Sequence, residues 1–241
     1  MPLSAVPSWR RSDVPLAEIE GVHLNIGSGP AVAPGWISID GSWQARFAGR
    51  PLAARLVSLL TGRQVGHWPA GIRCLDVRRG LPFADNSASV VYSSHMIEHL
   101  FRDEAGAFLR DARRVLAPGG ICRIVVPDMR SMVQWYVERN GTAPVNGEAP
   151  GSDRLMEMLG VSSPSAPPRS ILGAYRRLTD FDRHKWMYDE PGLIALLRES
   201  GFACPAARGP LESDIRGDVL AAVEKRERMD GGAGICVEAR K

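Results

Sequence analysis

The sequence predicts a doubly wound α/β fold. Three observations point there. Short apolar runs alternate with segments of helical periodicity from residue 22 to residue 128. A glycine turn closes the first apolar run, and a carboxylate closes the second. In open α/β sheets those are features of the edge where strands end and helices begin.

Taken in order, residues 1–20 read as a leader with a short helix near Leu16–Glu20. Val22–Ile26 is the first strand, Gly27-Ser28-Gly29-Pro30 the turn after it, and Trp36–Ile39 the second strand, ended by Asp40. Only Gly27–Gly35 joins the two, less than a helical parallel crossover needs. The first crossover is therefore predicted to shrink to a turn, unless the strand limits shift. Residues 44–62 carry Leu52, Leu56, Leu59 and Leu60 at helical spacing, with Gly62 as the stop. Ile72–Val77 is the third strand and holds Asp76 near its end; Ala88–Ser93 is the fourth. Ile97–Leu116 is predicted as one long amphipathic helix, stopped by Pro118-Gly119-Gly120. Ile121–Val126 is the fifth strand, closed by Pro127-Asp128.

Residues 130–187 break the alternation. A helix at Ser131–Glu138 runs into NGTAPVNGEAPGS, then a short helix near Leu155–Leu159, then the aromatic-rich Tyr175–Asp189. Long irregular segments inside compact domains are usually functional or disordered. The segment is read as a lid over the substrate, inserted in a single domain spanning residues 1–241. Glu190–Gly201 is a helix, and Phe202–Ala207 and Ile235–Ala239 are the last strands.

Composition narrows the function classes. The 241 residues are 44% hydrophobic and 24% charged, ordinary for a globular chain. A formal charge of +3 with scattered arginines argues against nucleic-acid binding. No apolar run approaches the roughly 20 residues of a membrane span. The N-terminus lacks a secretory apolar core, so the cytoplasm is the expected compartment. Cys74, Cys122, Cys204 and Cys236 lie far apart without a CxxC pair, which argues against structural zinc. Nothing in the sequence sets an oligomeric state.

The glycine turn narrows the ligand. A dinucleotide fingerprint places a third glycine or alanine where Val32 stands, and Pro30 lacks a backbone N–H that a pyrophosphate would use. No Gly-Lys-Ser/Thr follows, which excludes a P-loop. A nucleoside without phosphates remains. On these residues the sequence resembles the class I S-adenosylmethionine (SAM) methyltransferases, whose first motif is acid-x-Gly-x-Gly and whose second strand ends in an acid. Asn25 stands where the first acid is usual. LPFADNSASVVYSSHMIEHL at 81–100 and RVLAPGGICRIVVPD at 114–128 resemble the type 11 subgroup, although Ala88-Ser89 replaces a frequent Phe-Asp. The likeness covers roughly residues 22–128.

That resemblance implies a Rossmann-like seven-stranded sheet of order 3-2-1-4-5-7-6 with strand 7 antiparallel. It implies SAM as cofactor. Gly27, Ser28 and Gly29 would meet its middle and Asp40 its ribose, while Asn25 would accept a hydrogen bond without pairing ionically with its ammonium group. Asp76 and Val77 would meet the adenine; Ser93, Ser94 and His95 would line the methionine part. It leaves the methyl acceptor open.

Methyl transfer to a hydroxyl needs alignment and a proton acceptor. Of the five histidines, His23, His67, His95, His99 and His184, the candidate bases are His99 at the helix start and His184 in the lid. Read on a helix, His95, Glu98 and His99 form an inverted zincin pattern, but its start at a strand end rejects a protease. Glu98, His99 and His184 are candidate ligands for a divalent ion. Otherwise Glu98 caps the helix and His99 packs under the sheet edge. The expected function is O-methylation of a small-molecule or saccharide hydroxyl. A catalytically silent SAM-binding regulatory or scaffold module is the alternative, and Val32 and Pro30 disfavour a nucleotide-dependent oxidoreductase.

Overall fold

In the computed structural model, residues 21–61, 66–139, 150–161, 183–229 and 234–241 are described. Seven strands form one sheet: β1 (Val22–Ile26), β2 (Trp36–Asp40), β3 (Arg73–Cys74), β4 (Ala88–Ser94), β5 (Leu116–Pro127), β6 (Ala203–Ala207) and β7 (Gly234–Arg240). Their order is β3-β2-β1-β4-β5-β7-β6. The pairs from β3 to β5 are parallel, and β7 runs antiparallel to both β5 and β6. This is the topology the sequence led us to expect.

Six α-helices are described: α1 (Pro51–Thr61), α2 (Arg102–Val115), α3 (Met129–Glu138), α4 (Gly151–Leu159), α5 (Glu190–Glu199) and α6 (Gly217–Ala221). On one sheet face Leu24, Ile26, Val91 and Ile124 pack against Phe108 and Leu109 of α2 and Leu193 and Leu197 of α5. On the other, Trp36, Tyr92 and Val125 pack against Ile215, Leu220 and Met229. Central strands covered on both faces explain why β4 reads as an almost unbroken apolar run.

The crossover from β1 to β2 is a helix-free turn, as its length required. Other boundaries moved. The helix expected over 44–62 splits into a 3₁₀ turn at Gln44–Phe47 and α1, parted by Gly49, whose φ is +67°. The third strand pairs with β2 only through Arg73 and Cys74, because Asp76 accepts a hydrogen bond from Arg78 N–H and starts a 3₁₀ turn at Val77–Arg79. The long helix over 97–116 is two pieces: a 3₁₀ turn at Ile97–His99, then α2. Glu104 accepts from the Phe101 N–H at 3.0 Å and sets the true helix start there. β5 begins at Leu116 and carries Gly119-Gly120 inside it.

Of the expected lid, α3, α4 and residues 183–187 are described; the turn-rich 140–149 and the stretch 162–182 lie outside the described residues, as does the leader helix near Leu16–Glu20. α3 and α4 pack on each other. Residues 183–189 run over the ends of β4 and β5: Lys185 and Trp186 N–H donate to the Glu98 carbonyl at 2.7 and 3.2 Å, and Tyr188 bridges Asp128. Among the described residues no helix is long and apolar enough to cross a membrane.

Candidate active site

A cavity of about 620 Å³ opens at the carboxyl edge of β1, β2 and β4. The turn after β1 forms its floor. Gly27 has φ of +72°, and a Cβ there would lie 2.5 Å from the Met96 side chain. Only glycine fits that approach. Gly27 and Ser28 N–H both donate to the Ile39 carbonyl, at 2.8 and 3.0 Å. Asp40, at the end of β2, accepts from Gly29 N–H at 2.9 Å and Ser42 N–H at 2.8 Å. Its buried carboxylate thus fixes the glycine turn, and it also lines the cavity. Each oxygen holds one of those N–H groups and keeps further acceptor capacity.

Gly27, Gly29, Asp40, Asp76, Val77, Ser94, His95 and His99 all reach the cavity wall. Three other expected contacts, Asn25, Ser28 and Ser93, are not part of that wall. Asn25 and Ser93 are buried within β1 and β4. Asp76 is at the wall but already partnered: Arg78 Nε and Nη2 each donate to one of its oxygens at 2.8 Å. Those bonds hold its carboxyl below the usual range. Arg78, Met96, Glu227 and Arg228 also line the cavity and were not anticipated. Arg228 Nη1 donates to Ser94 Oγ at 3.1 Å. It ends a short 3₁₀ turn, Arg226–Arg228, ahead of β7, where no periodicity or motif marks it.

The His95-Glu98-His99 motif does not lie on a helix. His95 has φ of +53° and donates its N–H to the Val125 carbonyl at 2.9 Å. The i, i+4 geometry expected for the two histidines is therefore absent. His95 Nδ1 instead lies 3.5 Å from Glu98 Oε1. Burial, helped by the charge of Arg228, pushes the His95 imidazole down to about 4. Burial pushes the fully enclosed Glu98 carboxyl up to about 8. Between those values both groups are neutral, so their contact is no ion pair. Among the described residues, neither Glu98 oxygen has a hydrogen-bond partner.

His99 and His184 meet edge to face, ring centroids 4.9 Å apart. His99 Nδ1 lies 3.3 Å from the Arg183 carbonyl, and His184 Nδ1 lies 2.6 Å from the Leu159 carbonyl. A carbonyl only accepts, so each Nδ1 carries a proton and donates it. Gly160 makes the second contact possible, since a Cβ there would fall 2.7 Å from His184 Nδ1. One donor atom each from Glu98, His99 and His184 lies within 4.8 Å of the others. The structure brings these three together, but of them only His99 reaches the cavity wall.

Residues 24–124 match a family model described as a methyltransferase domain. No curated protein matches the sequence. The chain is similar to a SAM-dependent methyltransferase from Thermotoga maritima (16% identity, 93% of this chain and 84% of that one, TM-score 0.43). A second similar structure is an S-adenosylmethionine-dependent methyltransferase from Mesorhizobium loti (17%, 96% and 95%, TM-score 0.43). A third is a Burkholderia thailandensis 1,6-didemethyltoxoflavin-N1-methyltransferase with bound 1,6-didemethyltoxoflavin and S-adenosylhomocysteine (16%, 92% and 71%, TM-score 0.42). The matched residues 24–124 hold most of β1 and β5 and all of β2, β3 and β4.

Proposed function

We propose that this chain, whose residues 24–124 match a methyltransferase domain, is a class I SAM-dependent methyltransferase that methylates a hydroxyl of a small molecule or saccharide, with His99 as general base. Bound SAM supplies the electrophilic methyl group. The chain's own residues do the rest. Backbone at Gly27 and Gly29 lets the cofactor approach closely, and Asp40 accepts from its ribose hydroxyls. Asp76 and Val77 flank the adenine, while Ser94 and His95 flank the methionine part. The glycine that cannot bear a side chain, beside a buried carboxylate in a cavity of about 620 Å³, supports that cradle. Residues 130–187 serve as the acceptor-binding lid within the one domain.

The observation that carries the catalytic reading is His99 in the cavity wall with its Nδ1 committed to the Arg183 carbonyl. Nε2 then takes the acceptor's proton as the methyl group is transferred. His184, held by the Leu159 carbonyl, positions the His99 ring through their edge-to-face contact. His95 stays neutral near pH 7, so it adds no positive charge beside the cationic cofactor.

One observation favours a second reading, a divalent cation at the same centre. Glu98, His99 and His184 offer three donor atoms within 4.8 Å, and the two Glu98 oxygens await a partner. Those three residues would hold the ion, Glu98 after losing its proton, and the ion would supply Lewis acidity toward an acceptor oxygen. The test is transfer of labelled methyl from SAM to a panel of phenolic and saccharide hydroxyls, with and without chelator. Turnover that survives chelator and is lost in His99→Ala supports the base. Turnover abolished by chelator and restored by Mg²⁺, Mn²⁺ or Zn²⁺ supports the cation. SAM binding with no turnover on any acceptor supports the silent module.

A further inference from the structure

α1 is turned inside out. Its residues Leu52, Leu56 and Leu59 fall on one ridge at i, i+4 and i+7, and they are 81%, 56% and 75% exposed. Ala54 and Ser58 occupy the opposite side; Ala54 is buried, and Ser58 Oγ donates back to its carbonyl at 2.9 Å. A helix that serves only the core puts its apolar stripe inward. Here three leucines face out and Ala54 faces in.

Along the chain, the charge on either side of this helix is one-signed. Between Asp40 and Asp76 the chain holds five arginines, Arg46, Arg50, Arg55, Arg63 and Arg73, and no Asp or Glu. Arg46, Arg50 and Arg55 are exposed, and Arg55 flanks the leucine ridge on α1 itself. The chain as a whole carries only +3, so this stretch concentrates positive charge that the rest balances.

We propose that α1 docks the protein on an anionic membrane surface, lying in the interface with its leucine ridge in the acyl boundary and Arg55, with Arg46 and Arg50 just before the helix, at the headgroups. An apolar ridge flanked by arginines is the pattern of an in-plane interfacial helix. The competing occupants satisfy half of it. A second copy would cover the leucines but set arginines against arginines. A nucleic acid would match the arginines and leave the leucines in water.

Co-sedimentation of the full chain with vesicles of phosphatidylcholine and about one-third phosphatidylglycerol tests this. The protein is expected to pellet with them, and less so as salt rises. The variant Leu52→Gln/Leu56→Gln/Leu59→Gln is expected to lose on the order of a hundredfold in vesicle affinity. Its SAM affinity is expected to hold, because α1 lies outside the cavity wall; that control also reports folding. Wild-type protein left in the supernatant overturns the proposal. So does a dimer that the triple variant converts to monomer without vesicle binding, which assigns the ridge to a second copy. Oligonucleotide binding without vesicle binding overturns it too, and assigns the arginines to nucleic acid.

Discussion

At the residue scale, chemistry and stability separate within five residues. His99 touches the cavity, so His99→Ala is expected to lower kcat by roughly 10²–10⁴-fold, the range of general acid–base catalysis, with SAM affinity nearly unchanged in calorimetry. If His184 only positions the His99 ring, as proposed, His184→Ala is expected to cost less in kcat and nothing in SAM affinity. Glu98 and His95 govern a pH dependence of folding instead. Folded Glu98 keeps its proton up to about 8, while an unfolded glutamate releases it near its ordinary value of 4.5. The folded state therefore binds the extra proton between those values, and stability falls as pH rises through them. His95 works oppositely: folded near 4 and ordinarily 6.5, it makes stability rise with pH across that window. The two offset each other below 6.5, and Glu98 alone acts from there to about 8. Urea denaturation is expected to show stability dropping by roughly 1–2 kcal/mol from pH 6.5 to 8, at up to about 1.4 kcal/mol per pH unit. Glu98→Gln, which cannot ionise, is expected to flatten that slope; an equally steep slope in the variant would contradict the burial argument.

At the element scale, the turn after β1 concentrates the constraint. Gly27→Ala must hold a Cβ at φ of +72° and push Met96 aside, so it is expected to cost about 2 kcal/mol or more in urea unfolding and to abolish SAM binding. A variant that binds SAM normally would remove the turn from the site. The turn was legible in the sequence because glycines and strand-ending carboxylates follow directly from the backbone geometry they permit. Helix boundaries were less so. Ile97, Leu100 and Ala105 continue the apolar spacing of α2, and that periodicity hid the break before Arg102. The signal was present: Asp103 and Glu104 put acid in a first turn, where the helix dipole favours it. In the same way Gly49 before Pro51 marked where α1 starts, proline being well suited to a first helical position.

At the scale of the whole molecule, one buried cation ties the last third of the chain to the sheet. Arg123 on β5 is fully buried and makes five hydrogen bonds: two to Glu224, one to Glu238 and one each to the Glu212 and Gly209 carbonyls. All five of its N–H donors are used. The network anchors residues 209–224, and the chain then reaches Arg228 at the cavity mouth. Removing the cation strands two buried carboxylates, so Arg123→Ala is expected to destabilise by about 3–5 kcal/mol in urea unfolding. Replacing Arg123, Glu224 and Glu238 together by apolar residues of similar size is expected to cost far less. None of this was visible in the sequence. The alternation of strands and helices gave the doubly wound class and the family likeness alone gave the strand order, but Arg123 sits inside an apolar run, and its partners lie 101 and 115 positions away. Long-range pairs carry no periodic signature, and neither does Arg228, which depends on them for its place.

The most direct measurement is calorimetric titration of the purified chain with SAM, S-adenosylhomocysteine, NAD and ATP. SAM and its demethylated product are expected to bind, NAD and ATP to give no heat. Asp40→Ala is expected to weaken SAM by roughly 1.5–3 kcal/mol, about ten- to a hundredfold, because it removes a charge-assisted acceptor and releases Gly29 together. Tight NAD binding, or SAM affinity indifferent to Asp40, would contradict a SAM site at this sheet edge.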